Sequence, residues 1–170
     1  MATITLGGKP TNTIGQLPTN GSTAPTFSLT SSELKSISNK DFTAKVIVLN
    51  IFPSIDTPVC ATSVRRFNSE AANHPNTTVL CISADLPFAH KRFCEIEGIN
   101  NVVALSTFRS PEFGKDYGVL ITEGPLKGLL ARAIVIIDTE SKVCYSELVG
   151  EIGSDPNFEA ALKAVTSCGG

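Results

Sequence analysis

Cysteines are the residues of this sequence whose type and spacing say most about chemistry. The chain has 170 residues and five cysteines, Cys60, Cys81, Cys94, Cys144 and Cys168. No two of them form a Cys-x-x-Cys pair, which excludes the usual zinc-ribbon and dithiol-oxidoreductase motifs. There are only two histidines, His74 and His90, so a histidine-rich metal site is not expected. In a reducing cytosol we expect these thiols to stay free unless one has a chemical task.

Cys60 stands in a context that favours a reactive thiolate. It lies where a strongly apolar segment passes into a helical pattern. Pro58 suits the first helical position, and Thr57 would cap the helix by accepting from the Cys60 N–H. The sulfur would then lie in the first helical turn, where free amide donors and the helix dipole lower a thiol's pKa. Asp56 opposes this effect, so a nearby cation is required.

Structural roles for the cysteines are also open at this point. A buried cysteine on an apolar helical stripe often only fills space, and spacing alone does not exclude that role for Cys60. Cys81 is expected to pack in the core, and Cys144 is expected to be structural. Cys168 is expected in a mobile, exposed tail where it forms adventitious intermolecular bonds. His90 and Cys94 would share a helix face, but two ligands do not make a metal site.

The hydrophobic pattern predicts the elements that position these residues. Predicted strands cover residues 3–6, 9–13, 26–30, 46–52, 77–83, 102–105, 133–137 and 143–149. Predicted helices cover residues 58–73, 87–97, 111–116 and 156–166, and Ala89, Phe93 and Ile96 share one face of the second. This order implies a thioredoxin-like α/β fold, a central mixed β-sheet flanked by helices. Residues 1–23 form an N-terminal β-hairpin arm that turns at Gly7 and Gly8.

Length and composition limit the class of protein. A chain of 18.0 kDa favours one domain over residues 1–170. With 42% hydrophobic and 18% charged residues, the chain is not expected to be disordered. The net charge of −2 predicts no nucleic-acid or anionic-membrane surface, and no apolar run approaches the roughly 20 residues that span a bilayer. The N-terminus has neither a basic start nor an apolar core, so a cytoplasmic location is expected.

Longer motifs resemble a known family. The pattern Pro53-x-x-x-Thr57-x-x-Cys60 matches the active-site pattern of the peroxiredoxins. Residues 49–57, 81–89, 92–94 and 124–133 are similar to the bacterial thiol peroxidase subfamily, and the resemblance covers essentially the whole chain. One departure is Pro58, where other members often carry a smaller residue, and we expect it to stiffen the start of the helix.

The resemblance implies a role for each site residue. Cys60 falls on the peroxidatic cysteine, whose thiolate attacks peroxide and becomes a sulfenic acid. Thr57 falls on the hydroxyl that hydrogen-bonds the thiolate and the peroxide, and Pro53 on the proline that shields the sulfur from water. Arg132 falls on the site's arginine, which supplies the required cation as a permanently protonated fork of donors. No haem, flavin or metal cofactor is implied.

Cys94 falls on the family's resolving cysteine, which condenses with the sulfenic acid to form a Cys60–Cys94 disulfide. Because a disulfide needs Cα atoms within roughly 7 Å, we expect one or both segments to unwind locally in each cycle. Lys91 and Arg92 could favour the Cys94 thiolate or only form a solvated basic face. An external dithiol, thioredoxin by resemblance, would reduce the disulfide.

These observations predict a peroxidase for hydrogen peroxide and alkyl hydroperoxides. The resemblance also suggests a homodimer, to which residues 118–121 and 124–126 could contribute. One alternative is a non-enzymatic redox sensor that changes shape through the same disulfide. Another is a cysteine hydrolase, which needs a histidine base close to Cys60, and the predicted topology places neither His74 nor His90 there.

Overall fold

A seven-stranded mixed β-sheet forms the centre of the molecule. The computed structural model describes residues Met1–Gly170. Its strands are β1 Thr3–Leu6, β2 Lys9–Asn12, β3 Ser28–Ser31, β4 Ser36–Ser38, β5 Val46–Ile51, β6 Thr77–Ser83, β7 Val103–Ser106, β8 Ala133–Ile137 and β9 Val143–Leu148. Its helices are a 3₁₀ helix Asn39–Phe42, α1 Pro58–Ala71, α2 Pro87–Glu97, α3 Glu112–Asp116 and α4 Phe158–Ser167. None of these helices combines the length and the apolar composition that crossing a bilayer requires.

The strand order of the sheet decides which chain segments meet. The order is β4-β3-β7-β6-β5-β8-β9, and β5, β6 and β7 run parallel. Strand β8 runs antiparallel to β5 with Ile51 opposite Ala133. The segment that follows β5 and the residue that precedes β8 therefore lie at the same edge of the sheet. This is the predicted mixed sheet flanked by helices.

Two apolar clusters cover the two faces of the sheet. Strand β5 is buried along its whole length, and its alternate residues enter opposite clusters, Leu49 on one face and Val48 on the other. Helices α1 and α4 pack on the Val48 face, where Phe67 and Val165 are each 1% exposed. A strand buried on both faces explains the nearly continuous apolar run of its sequence.

The N-terminal hairpin forms as predicted. Strands β1 and β2 pair antiparallel, and Gly7 and Gly8 connect them with φ angles of 58° and 78°. Two successive left-handed residues make the hairpin turn that glycine adopts without strain. Ile4, only 2% exposed, anchors the hairpin in the apolar cluster on the Leu49 face.

One stretch contains elements that were not predicted, and one predicted helix face was wrong. The polar stretch before β5 contains a strand, β4, and the 3₁₀ helix, in which Ser38 and Asp41 form a capping box. On α2 the predicted apolar face does not form, because Ile96 is 74% exposed while His90 is 1% exposed. A histidine can face inward here because Ser83 hydrogen-bonds to it, and hydrophobic periodicity does not detect that arrangement.

The C-terminus also differs from the prediction. Cys168, at the end of α4, forms a disulfide with Cys144 in β9, with 6.4 Å between their Cα atoms. The expectation of an exposed, mobile Cys168 was therefore wrong, and neither Cys144 nor Cys168 is a free thiol. Helix α4 folds back onto the sheet and brings together two cysteines that lie 24 residues apart. The separation of 24 residues in the sequence does not indicate that Cys144 and Cys168 are close together in the folded protein.

Candidate active site

Cys60 lies in the first turn of α1, directly after the loop that leaves β5. The first backbone hydrogen bond of the helix runs from the Ala61 N–H to the Thr57 carbonyl at 3.0 Å. The N–H groups of Val59 and Cys60 bond to no backbone or side-chain oxygen. Free donors and the positive end of the helix dipole therefore lie next to the sulfur, as predicted.

Thr57 occupies the predicted N-cap position but does not cap the helix with its side chain. Its hydroxyl donates instead to the Ser54 carbonyl at 3.0 Å, inside the same loop. The predicted bond from the Cys60 N–H was therefore wrong, because the loop offers the hydroxyl an acceptor of its own. As a result, the Cys60 N–H stays free, and the oxygen of Thr57 keeps its accepting lone pairs.

A cavity of about 230 Å³ lies beside this helical turn and brings three of the predicted site residues together. Its walls include Pro53, Thr57 and Arg132, and the remaining lining residues are Leu6, Ser54, Pro58, Val59, Leu126, Leu129, Ile152 and Gly153. Cys60 follows Val59 in the helix, but its own side chain is fully buried in the apolar cluster below. The cavity thus combines one cation with an apolar wall beside the helical turn that carries Cys60, whose side chain does not line it.

Arg132 is the cation of this cavity. It is only 2% exposed, its Nε donates to the Ile152 carbonyl at 2.9 Å, and its buried Nη1 has no hydrogen-bond partner. A buried guanidinium with a free donor favours an anion as its neighbour. It lies at the end of β5 because it directly precedes β8, and the sequence alone could not show this position.

Asp56 has less influence on the site than its sequence position suggests. Its side chain is 62% exposed, and its carboxylate lies 3.4 Å from the Arg92 guanidinium, which is itself 63% exposed. Water and salt screen charges in such a position. The positive end of the helix therefore meets little opposition from this carboxylate.

Asp85, which the sequence analysis missed, connects the loop before Cys60 to its surroundings. Its carboxylate accepts from the Ser54 hydroxyl at 2.8 Å, from the Ile55 N–H at 2.7 Å and from the Ser83 hydroxyl at 2.5 Å. Burial alone would raise the Asp85 pKa, but the neighbouring His90 imidazole and hydrogen bonds from Ser83, Ile55 and Ser54 outweigh it and lower the pKa to about 2. In the sequence, the only sign of this role was an aspartate two residues after the end of β6.

His90 belongs to this hydrogen-bond network. Its Nε2 lies 2.8 Å from the Ser83 hydroxyl oxygen and 3.7 Å from the Asp85 carboxylate. Because the Ser83 hydroxyl donates to Asp85, its oxygen accepts the proton of Nε2, and Nδ1 remains without a partner. His90 therefore fixes α2 to the end of β6.

Cys94 lies on α2, apart from the cavity. It is a half-buried free thiol that borders a groove with Lys91, Glu95 and Gly98. Burial raises its pKa in this conformation, and the Arg92 guanidinium lies near Asp56. Cys60 and Cys94 are both free, and the predicted disulfide between them is not formed in this conformation.

Cys81 has the packing role that was expected. It is 1% exposed in the middle of β6, and burial raises its pKa to about 12. At neutral pH such a thiol stays protonated and inert.

Comparison with known protein families gives one decisive match, because the family model described as Redoxin covers residues 19–162. The chain belongs to the Redoxin family. This redoxin is 58% identical to the thiol peroxidase of Mycobacterium tuberculosis over 97% of its length and 99% of that protein. It is 53% identical to the thiol peroxidase of Corynebacterium glutamicum, with the same shares covered.

Solved structures agree with this assignment. A peroxiredoxin-like protein from Aquifex aeolicus superimposes on 99% of this redoxin and 98% of its own chain, with a TM-score of 0.93 and 41% identity. The thiol peroxidase from Chromobacterium violaceum gives a TM-score of 0.87 at 28% identity, with 97% and 95% covered. The redoxin is thus a thiol peroxidase of the peroxiredoxin type, which confirms the resemblance seen in the sequence.

Proposed function

We propose that Cys60 is the peroxidatic cysteine of this thiol peroxidase and reduces hydrogen peroxide and alkyl hydroperoxides. The observation that carries this proposal is the cavity beside the first turn of α1, which gathers Pro53, Thr57 and Arg132. No other cysteine lies in a helical turn that borders this cavity, because Cys81 is enclosed in a strand and Cys94 borders a different groove.

The reaction at Cys60 is a displacement at oxygen. The thiolate attacks the terminal peroxide oxygen, the O–O bond breaks, and the leaving oxygen takes a proton and departs as water or an alcohol. Arg132 can direct its free Nη1 donor at the peroxide, where negative charge develops in the transition state. Thr57 adds a hydroxyl at the same cavity, and Pro53 is buried there and limits the access of water.

The cavity wall bears on the choice of peroxide. Leu6, Leu126 and Leu129 come from the N-terminal hairpin and from the segment before β8, and their side chains line the cavity together. Such a wall suits the hydrocarbon part of an alkyl hydroperoxide, which leaves water for an apolar surface. Organic hydroperoxides therefore fit this site at least as well as hydrogen peroxide.

Cys94 is proposed as the resolving cysteine. Its thiolate would attack the Cys60 sulfenic acid, form the Cys60–Cys94 disulfide and release water. This step requires the loop and α2 to open, because the Cys60 side chain is fully buried. Asp85 opposes the opening, since its carboxylate connects the loop to the network that holds His90.

An external dithiol would complete the cycle, and we propose thioredoxin for this role. One thiolate of the reductant attacks the protein disulfide, and its second thiol releases both cysteines in reduced form. The groove beside Cys94 is open to solvent along Lys91, Glu95 and Gly98, so this sulfur is the more accessible one.

A homodimer is part of the proposal, but one of its expected segments was wrong. Residues 118–121 are mostly core, with Val119 and Ile121 at most 1% exposed. Exposed apolar side chains instead occur near Asp85, with Leu86 at 52%, Phe88 at 67% and Phe108 at 47%. Sedimentation of the reduced protein tests the dimer, and substitution of Phe88 by aspartate should shift it to monomers.

We also propose a cytoplasmic location. The free thiols of Cys60, Cys81 and Cys94 are compatible with a reducing compartment, which thioredoxin recycling also needs. Fractionation of the native host tests this part of the proposal, and recovery of the protein outside the cytoplasm would contradict it.

The two alternative functions fit the structure less well. A cysteine hydrolase needs a histidine base near Cys60, but neither histidine lines the cavity. A redox sensor would use the same two cysteines without turnover. A turnover assay therefore separates the sensor from the enzyme.

The experiment is peroxide-dependent oxidation of NADPH with thioredoxin and its reductase. Cys60→Ser should lose all activity, and Cys94→Ser should consume one peroxide per protein and accumulate the sulfenic acid. Cys81→Ala removes a thiol outside the site and should keep wild-type turnover. Equal activity of the wild type and Cys60→Ser would overturn the assignment of Cys60.

A further inference from the structure

The Cys144–Cys168 disulfide lies outside the site that performs the peroxidase reaction. Cys144 is the second residue of β9, and Cys168 ends α4. Their Cα atoms are 6.4 Å apart, within the range of about 4.4–6.8 Å that disulfides require. This pair therefore bonds in the folded protein without rearrangement, whereas Cys60 and Cys94 are both free.

The bridge and the cavity lie at opposite ends of the sheet. Cys144 follows Val143, which pairs with Ile137 at the end of β8, and Arg132 precedes the start of that same strand. Five strand residues separate these two ends by roughly 17 Å. The bridge therefore cannot exchange with Cys60 in the same molecule unless the protein unfolds.

The surroundings of the two sulfurs do not favour thiolates. Cys168 lies at the C-terminal end of α4, where the negative end of the helix dipole disfavours an anion. The Cys144 sulfur lies 3.4 Å from the Ile136 carbonyl oxygen, so the reduced thiol has an acceptor for its proton. Both conditions predict a much slower reaction with peroxide than at the first turn of α1.

We propose that Cys144 and Cys168 form a second redox couple, which peroxide closes slowly and which fastens the C-terminal helix to the sheet. One thiolate attacks the peroxide, breaks the O–O bond and becomes a sulfenic acid, while water or an alcohol leaves. The other thiolate then displaces hydroxide to form the S–S bond, and the hydroxide takes a proton to become water. Two thiols are oxidised by two electrons, and an external dithiol reverses the step.

The closed bridge stabilises the part of the chain that supports α1. Helix α4 places Val165 in the apolar cluster, and the ring of Phe158 meets that of Phe67 on α1 at 5.6 Å between centroids. Closing a loop of this length restricts the unfolded chain. We therefore expect the bridge to raise the folding equilibrium constant by roughly two orders of magnitude.

The experiment uses Cys60→Ser protein, in which the Cys60–Cys94 disulfide cannot form. Its outcome does not depend on the role proposed for Cys60, because only the second couple is measured. The protein is fully reduced, freed of dithiol and exposed to excess hydrogen peroxide, and its remaining thiols are alkylated and mapped by mass spectrometry. Urea unfolding is followed in parallel, with Cys60→Ser/Cys144→Ser/Cys168→Ser as the matched control.

The expected result is a Cys144–Cys168 peptide that forms over minutes, together with a higher urea midpoint than that of the control. In dithiothreitol the two proteins should unfold at the same midpoint. Separately, Cys144→Ser/Cys168→Ser with Cys60 intact should keep wild-type peroxidase turnover. The proposal would be overturned if Cys144 and Cys168 were both still alkylated after peroxide treatment. It would also be overturned if the two proteins had equal urea midpoints without dithiol, or if Cys144→Ser/Cys168→Ser lost peroxidase turnover.

Discussion

Two pairs of cysteines in this protein are in opposite states. Cys60, in the first turn after the carboxyl end of β5, and Cys94, late in α2, are free thiols on two different helices. At the other end of the sheet from Cys60, Cys144 and Cys168 are already joined. The two pairs have different surroundings. Free backbone N–H donors and the buried Arg132 guanidinium lie at the Cys60 end of the sheet, whereas the antiparallel strands β8 and β9 support the Cys144–Cys168 disulfide.

A reactive thiol needs an anion-stabilising site and freedom to move afterwards. A stabilising bridge needs only two sulfurs within bonding distance in the folded state. The loop between β5 and α1 meets the first requirement, and the fold of α4 onto β9 meets the second. Substitutions at the Cys60 end should therefore change rates, and substitutions at the bridge end should change stability.

The largest expected effect is that of Arg132→Ala on the peroxide reaction. Loss of the buried donor should slow the second-order reaction of the reduced protein with peroxide by about 10²- to 10³-fold. Stopped-flow mixing of Cys94→Ser protein with peroxide measures this step alone. Arg132→Lys keeps the charge without the planar fork and should give an intermediate rate, whereas unchanged kinetics in Arg132→Ala would remove its assigned role.

Asp85→Asn should have the next largest effect and should change both rate and stability. Because the folded-state pKa of Asp85 is depressed to about 2, its carboxylate stabilises the fold above about pH 4, and this stabilisation is lost as the pH falls toward 2. At pH 7 we expect the free energy of unfolding to fall by on the order of 2 kcal/mol, with slower peroxide reduction. The stability difference from the wild type should shrink below pH 4, as urea unfolding at several pH values will show.

Asp138→Asn is the matched control at the bridge end. Its carboxylate also accepts two backbone N–H groups, those of Glu140 and Lys142, in the turn between β8 and β9. It should lower stability without slowing the peroxide reaction. If Asp85→Asn and Asp138→Asn slowed the peroxide reaction to a similar extent, the two ends of the sheet would not have separate effects on rate and stability.

The smallest expected effect is that of Glu97→Gln, on the surface between α1 and α2. Glu97 forms two hydrogen bonds with Arg65 at 2.8 and 3.0 Å, but the side chains of Arg65 and Glu97 are 47% and 31% exposed to solvent. Exposed pairs of this kind contribute little, so the urea midpoint should stay close to that of the wild type at high salt. A marked loss of stability at high salt would contradict this expectation, because it would show that the Arg65–Glu97 pair contributes substantially to the fold.

Much of the fold was predictable because its signals are local. The β6 and α2 ranges agree with the prediction residue for residue, since an apolar run, Pro87 and Gly98 mark their ends. Gly98 ends α2 in the left-handed conformation that glycine commonly adopts directly after a helix. Ile96 was misplaced because a buried histidine, satisfied by Ser83, took the inward face of the helix.

The candidate site was predictable in part. Pro53, Thr57 and Cys60 are close in the chain, so a short motif identified them together. Arg132 was identified only through the family resemblance, since the spacing of 72 residues carries no physical signal. Asp85 was missed because its partners, the Ser54 hydroxyl and the Ile55 N–H, belong to another strand's loop.

The amino-acid sequence by itself determined eight of the nine strands, the four α-helices, the hairpin turn and the position of one cysteine at a helix start. These features follow from neighbours a few residues apart, through periodicity, proline and glycine. Only the tertiary structure decided that Arg132 lies beside this helix, that Asp85 holds its loop and that Cys168 meets Cys144. Those contacts depend on the strand order and on how α4 packs. The number of residues between two positions in the chain does not determine how far apart they lie in the folded protein.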